Sequence, residues 1–274
     1  MKQVLRYLKQ ELWYGDDALR YPHDVKEDKY IQQGAVALIG FRWKGESKRS
    51  HLNSRIKNNK DLLLAAVKTN GYVLDYASKE LKNDKEVVLA AVKTNGFALY
   101  YASARLQGDQ EVVRAAVKNN GWALYCAAIR FRDNKEVVLT AIRNNPHALD
   151  YASDRLQDDR DIVKEACKMS ALSFYFASRF IKSNRDLIKE EISLKNYEIF
   201  KYCHSSLRRE KDIYLPVLKK DPSLCKLFSP NTLLKLDFSS LPKRNKEVIF
   251  ESFEKRTKEK DLFVLAKAKK YILG

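Results

Sequence analysis

The feature that most constrains this chain is a self-similarity with a period of 25 residues. Gly71, Gly96 and Gly121 stand 25 apart, and Pro146 and Ala171 continue their column. The same period governs Asp61, Glu86, Glu111, Glu136, Asp161 and Asp186. It also governs Ala77, Ala102, Ala127, Ala152 and Ala177, and again Leu81, Leu106, Phe131, Leu156 and Ile181. Five copies over residues 61–185 make a tandem array, in which each unit buries its apolar face against its neighbours.

Each unit reads as two short helices. In NDKEVVLAAVKTNG, Asp84 is suited to cap the helix N-terminus, Glu86 lies in the first turn and Lys93 in the last, and Asn95-Gly96 ends the helix. Val87, Val88, Ala91 and Val92 share one face. The second segment, FALYYASARL, carries Leu99, Ala102 and Leu106 at i, i+3 and i+7, and small Ala91 and Ala102 allow close helix approach. Helices of about ten residues are marginal alone and need stacking. The expected fold is therefore all-α: a right-handed α-solenoid of short helical hairpins, of the TPR/HEAT/armadillo kind, with non-repeating helical caps. Residues 1–50 form the expected N-terminal cap or small domain, 51–228 the array, and 229–274 the C-terminal cap. The register weakens after 185, and a one-residue slip returns Asp212 and Pro222 to their columns.

The strings EVVLAAVKTNGFALYYASARL and LLLAAVKTNGYVLDYASKEL resemble a tandem repeat domain of unknown function, EVVLAAVKxNGxALxYAS. That family is most familiar from Legionella-type effector proteins of intracellular bacteria and from some protist and giant-virus proteins. The likeness covers residues 51–185 and departs at Pro146 and Ala171 and from Lys164 onward. The family has no established catalytic residues to transfer. It implies an interaction module, in a protein delivered into a host cell.

Composition excludes several alternatives. The chain is 45% hydrophobic and 11% aromatic, enough for a core. With 9 Gly and 6 Pro in 274 residues, a loop-rich β fold is not expected. No apolar run approaches the roughly 18 residues of a membrane span. The start, MKQVLRYLKQELWYGDD, has no apolar h-region, so no secretory signal peptide is expected. Cys126, Cys167, Cys203 and Cys225 lack CxxC pairing and read as reduced thiols of a cytoplasmic protein. Delivery to a host cytosol would need a route independent of a signal peptide.

The net charge of +17 is uneven. Residues 1–60 hold 13 basic and 7 acidic side chains, residues 61–185 hold 19 and 15, and residues 186–274 hold 20 and 13. The excess sits at the ends.

Few positions suggest chemistry. His23, His51, His147 and His204 form no ligand pattern, and no phosphate loop, dinucleotide fingerprint or nucleophile elbow occurs. Neighbours Cys203 and His204 would point about 100° apart on a helix. Cys167 stands in a core column with Val92, Val117 and Ile142. The acidic column fits helix first turns, where it complements the dipole; Lys68, Lys93, Lys118, Arg143 and Lys168 fit the last turns. No metal, cofactor or catalytic residue is assigned, and the chain is expected not to be an enzyme.

The informative variation lies in the second segment. Tyr72, Phe97 and Trp122 are large aromatics beside the turn, and Tyr100 and Tyr125 follow three residues later. Tyr76, Tyr101 and Tyr151 are nearly fixed and read as packing. Arg105, Arg130 and Arg155 form a same-sign ladder. Either the aromatics fill gaps between repeats while the arginines bond neighbouring carbonyls, or they form a concave strip with the composition of an interface hot spot. The favoured partner is a protein with acidic surface, bound by a chain that is monomeric alone. An RNA partner is the second reading, weakened by Asp75, Asp150, Asp154, Asp158 and Asp159 beside the arginines. An enzyme with a site at Asp16, Asp17, His23 and Asp24 is the third.

Overall fold

The computed structural model describes residues 57–257 and 262–273. The expected cap at residues 1–50, the cluster Asp16, Asp17, His23 and Asp24, and His51 lie outside them. The described residues are helical, without strands, and fall into two compact units that divide after Ser153.

In the first unit the long helices are Lys60–Val67, Lys85–Thr94, Gln110–Asn119 and Lys135–Asn144. Each begins where an Asn or Asp side chain accepts from backbone N–H groups one turn in: Asn59 from Leu62, Asp84 from Glu86 and Val87, Asp109 from Glu111 and Val112, and Asn134 from Val137. Such caps contribute about 1 kcal/mol each. The face made by Val87, Val88, Ala91 and Val92 is wholly buried, as is that of Val112, Val113, Ala116 and Val117. Each of the first three packs on its successor, and all four pack on the segment that follows them.

The second arm of the hairpin is not one helix. It is a 3-10 helix, an extended pair and a single helical turn: Gly96–Tyr101, then Ala102 and Ser103, then Ala104–Gln107. Leu99, Ala102 and Leu106 are all buried as their spacing suggested, although they belong to different elements. The break has a physical cause. Ala102 sits at φ −69°, ψ 158°, so the Ser103 N–H leaves its own segment and donates to the Lys82 carbonyl of the preceding repeat at 2.9 Å. Ala128 to Gln107 and Ser153 to Arg132 repeat the bond at 2.9 and 2.8 Å. Ser103 Oγ also faces the Leu106 N–H and starts the next turn.

The glycine column also has a different basis from the one its sequence context suggested. Asn95 closes the long helix in extended geometry at φ −146°, and its side chain then accepts from Phe97 N–H to open the 3-10 helix. Gly96 is the first residue of that helix, and it is required by proximity. A Cβ there would lie 2.2 Å from the Ala116 carbonyl oxygen and 2.9 Å from the Asn120 nitrogen, both backbone atoms of the next repeat. At Gly121 the corresponding contact, with the Ala141 oxygen, would be 2.4 Å.

The second unit continues the pattern through the long helices Arg160–Met169, Arg185–Ser193 and Lys211–Lys220 and ends in Lys243–Arg256 and Leu262–Leu273, which pack on each other. Its one-residue slip is localised. After Arg185–Ser193 the chain turns through Leu194, Lys195 and Asn196, and Lys195 adopts φ 67°. The inter-repeat backbone bond spans 21 positions from Gln157 to Ser178 but 22 from Lys182 to His204.

Three substitutions test these constraints. Gly96→Ala should destabilise the chain by about 1–3 kcal/mol, because backbone must move. Gly108→Ala, whose Cβ would meet nothing closer than 3.4 Å, should be within about 0.5 kcal/mol of neutral in the same urea titration. Lys195→Gly should stabilise by about 0.5–1 kcal/mol by relieving a left-handed backbone, read as a raised denaturation midpoint.

Candidate functional site

Two rims of the repeats carry the polar chemistry, and they are electrostatically different. The first lies at the N-termini of the long helices. Lys60 pairs with Asp84 and Glu86 of the next repeat, both at 2.8 Å, and Lys85 repeats this with Asp109 and Glu111 at 3.0 and 2.9 Å. Arg114 is bidentate to Glu136 at 2.7 and 2.6 Å. In the second unit Arg160 and Lys164 converge on Glu190, and Arg185 and Lys189 on Asp212. Glu86, Glu111 and Glu136 of the acidic column thus complement the dipole of their own helix and also bind the cation of the preceding repeat.

These pairings move titration. Partial burial pushes the Asp84 carboxyl up, but Lys60 and the Val87 and Glu86 N–H groups outweigh it, and the net shift is downward. Asp109 behaves the same way with Lys85. The Arg114 guanidinium lowers Glu136, and Lys164 with Arg160 lowers Glu190. On the cation side, hydrogen bonds to Glu111 and Asp109 raise Lys85.

The second rim, formed by the 3-10 helices and single turns, holds the aromatics. Tyr72, Tyr100, Trp122 and Tyr125 remain 38–53% exposed. They are organised across repeat joints. Tyr72 and Tyr100 meet the Tyr101 ring edge-on at 6.4 and 5.3 Å; Trp122 and Tyr125 meet Tyr151 at 5.6 and 5.2 Å. Tyr101 and Tyr151 are therefore half-buried hubs, while Tyr76 of the same column is exposed. In the third repeat the hub is Cys126, too small for the role, and Phe97 instead stacks on Tyr100 at 6.0 Å and 11°.

The arginines are bracketed by neutral acceptors. Arg105 donates from Nε to Asn83 Oδ1 at 2.8 Å and from Nη2 to the Asn83 carbonyl at 2.7 Å. Arg130 donates to the Gly108 carbonyl and lies over the Phe131 ring. Arg155 is exposed and belongs to the second unit. Of the residues foreseen from the sequence, the aromatics, Arg105 and Arg130 lie in the first unit.

Sequence reading missed a further cation. Arg132 lies over the Tyr125 ring, 5.7 Å from its centroid, and donates to the Tyr125 and Ala127 carbonyls. Lys182 stands in the same relation to Tyr175, at 5.2 Å, and Lys82 meets Asp75 at 3.8 Å. The signal was a 25-residue column of Lys82, Gln107, Arg132, Gln157 and Lys182, each seven positions after the variable column. Ile129 was also missed: at 80% exposed it stands where the second repeat has Ala104.

Other reactive groups are enclosed. Burial pushes the Cys126 and Cys203 thiols up to about 11 and that of Cys167 up to about 12, so these thiols stay protonated near neutrality. Cys203 Sγ faces the Phe200 carbonyl, while His204 Nδ1 meets Ser206 Oγ at 2.8 Å. Among the described residues no three His, Cys, Asp or Glu side chains group to hold a metal, and no helix is long and apolar enough to cross a membrane.

The carboxylate shifts fix a pH dependence. Depressed folded-state values stabilise the fold above the ordinary 3.8 of Asp and 4.5 of Glu, and that stabilisation is lost as pH falls through the folded values. The urea midpoint should hold from pH 7 to about 5 and fall below about pH 4. Lys85→Met should lower the midpoint at pH 7 and leave it unchanged once Asp109 is protonated. A midpoint flat throughout would overturn the ladder's role.

A family model described as "Domain of unknown function (DUF4116)" matches residues 50–82, 59–107, 84–132, 109–157 and 134–182. The overlapping matches together cover residues 50–182, and each of the last four spans about two 25-residue copies. No curated protein and no solved structure matches the chain.

Proposed function

We propose that this DUF4116 array is a non-catalytic scaffold that binds another protein through the rim bearing Tyr72, Phe97, Tyr100, Trp122, Tyr125, Arg105 and Arg130. One observation carries the reading. Four large aromatics stay 38–53% exposed on repeats whose cores are already closed. Rigid, half-exposed Tyr and Trp beside Arg are the side chains that dominate protein interfaces. The clusters are built across repeat joints, so their spacing is set by the stacking and little side-chain entropy is lost on binding.

The likeness of the repeat to effector proteins of intracellular bacteria extends the proposal. The chain would regulate, for example inhibit, a host protein or a co-delivered effector in the host cytosol. Net charge of +17 supports an acidic partner surface and a salt-sensitive association rate.

The test is capture by the tagged full chain from cell lysate, with and without nuclease, beside a Trp122→Ala, Arg130→Ala double variant. Partners should survive nuclease and be lost by the variant while its circular dichroism stays native. Loss of every partner on nuclease treatment would favour RNA. Unchanged capture by the folded variant would place the interface elsewhere.

A further inference from the structure

We infer that the second and third repeats form a receptor for a short acidic peptide segment carrying aromatic or aliphatic anchors, its carboxylates paired with Arg105, Arg130 and Arg132. The inference rests on the protein-binding reading and names the chemistry of the partner at the same rim.

The first argument is the contrast between cations. Along the long helices, Lys60, Lys85 and Arg114 are each neutralised by carboxylates of the next repeat. Among the described residues, Arg105, Arg130 and Arg132 contact no carboxylate. Their bonds go to the Asn83 side chain and to the carbonyls of Asn83, Gly108, Ala127 and Tyr125. A guanidinium has five N–H donors, and these bonds leave Nη1 of all three unused. Among the described residues no carboxylate pairs with these charges, while the bonds to backbone hold the groups in place. A carboxylate arriving there finds oriented donors, the arrangement Arg serves best.

The second argument is the local sequence. Residues 96–107 and 121–132 contain those three arginines and no acid. The preceding copy has Asp75 in the Tyr100 column and the following one has Asp150. The positive stretch is bounded at two repeats. At about 8–10 Å per packed layer, two repeats accommodate roughly six extended residues. A running polyanion would meet carboxylates on both sides, so a short segment fits better than RNA.

The third argument is the way the third repeat departs from its neighbours. Ser103 Oγ bonds Asn83, and Ser153 Oγ bonds Asp133. The equivalent pair in the third repeat is Ala128 and Gly108. Arg130 keeps the backbone bond that Arg105 makes to Asn83, but Gly108 leaves out the side-chain acceptor that Arg105 also uses. The same turn exposes Ile129, next to the helix bearing Trp122 and Tyr125. Removed acceptors and an added apolar group on one repeat make an anchor point flanked by open cations.

The experiment is fluorescence anisotropy of the full chain with labelled octamers: alternating Glu-Phe, alternating Gln-Phe, and uridine RNA. Glu-Phe should bind about tenfold more tightly than Gln-Phe, weaken with salt, and lose about tenfold in an Arg130→Gln, Arg132→Gln variant. Arg114→Gln, already neutralised by Glu136, should bind as the unaltered chain does. Equal affinity for Glu-Phe and Gln-Phe would overturn the inference, and this comparison uses the unaltered chain, so it does not depend on a variant folding. Tightest binding of the RNA octamer would overturn it, and so would equal losses from Arg114→Gln. If the octamers fail to discriminate while Trp122- and Arg130-dependent capture survives nuclease, the protein-binding reading stands and only the acidic-segment assignment falls.

Discussion

Everything in the first unit depends on how closely one repeat's backbone can approach the next. Gly96 permits an approach that any side chain would block, since its Cβ would lie 2.2 Å from the Ala116 oxygen. Around that contact the Asn119 amide completes the joint: its oxygen accepts from Gly96 N–H at 2.6 Å, and its nitrogen donates to the Lys93 carbonyl at 2.9 Å. Asn144 does the same for Gly121 and Lys118. These bonds satisfy a buried N–H and a helix-end carbonyl that would otherwise lack partners. A single backbone bond per joint, such as Ser103 to Lys82, sets the register on the other side.

The placement of the aromatics follows from that geometry. Because the extended Ala102-Ser103 pair breaks the second arm, the aromatics project from short 3-10 helices rather than from one continuous helix. Tyr72 of one copy then meets Tyr101 of the next. Arg105 reaches back to Asn83 for the same reason. Arg105 and Arg130 thus bond carbonyls of the preceding repeat, the first of the two arrangements the sequence left open. In the second and third repeats the long-helix cations Lys85 and Arg114 are ion-paired with the next copy, whereas Arg105, Arg130 and Arg132 on the short segments bond neutral acceptors.

Much of the fold was legible. Period, caps and buried faces were readable because a tandem array prints each structural requirement five times, and Asp84, Val88 and Leu106 stand in columns with one physical explanation each. The second arm differs from one helix because Leu99, Ala102 and Leu106 keep helical spacing although the Ala102-Ser103 pair is extended. Apolar periodicity reports which side chains are buried, and a broken segment can bury the same ones. Gly96 was recognised as a helix end, but its true constraint involves atoms of the next repeat, 20 residues on, and no local pattern encodes that. Arg132 was overlooked because Gln107 and Gln157 in its column disguised a shared reach toward the carbonyls of the preceding 3-10 helix.

The sequence by itself determined that this is an all-α tandem repeat, where each copy begins and ends, which residues form its core, and that its net charge of +17 lies mostly outside the clear copies. Local rules suffice for these, since helix capping and apolar burial act within a few residues. Only the tertiary structure decided which charges are already neutralised. Lys85 and Arg130 are alike as letters in a repeat column, yet one lies against Asp109 and Glu111 of the next copy and the other against the carbonyl of Gly108. That difference arises from side chains meeting across a joint more than 20 residues apart in the chain, which is the scale on which stacking, and not sequence, places them.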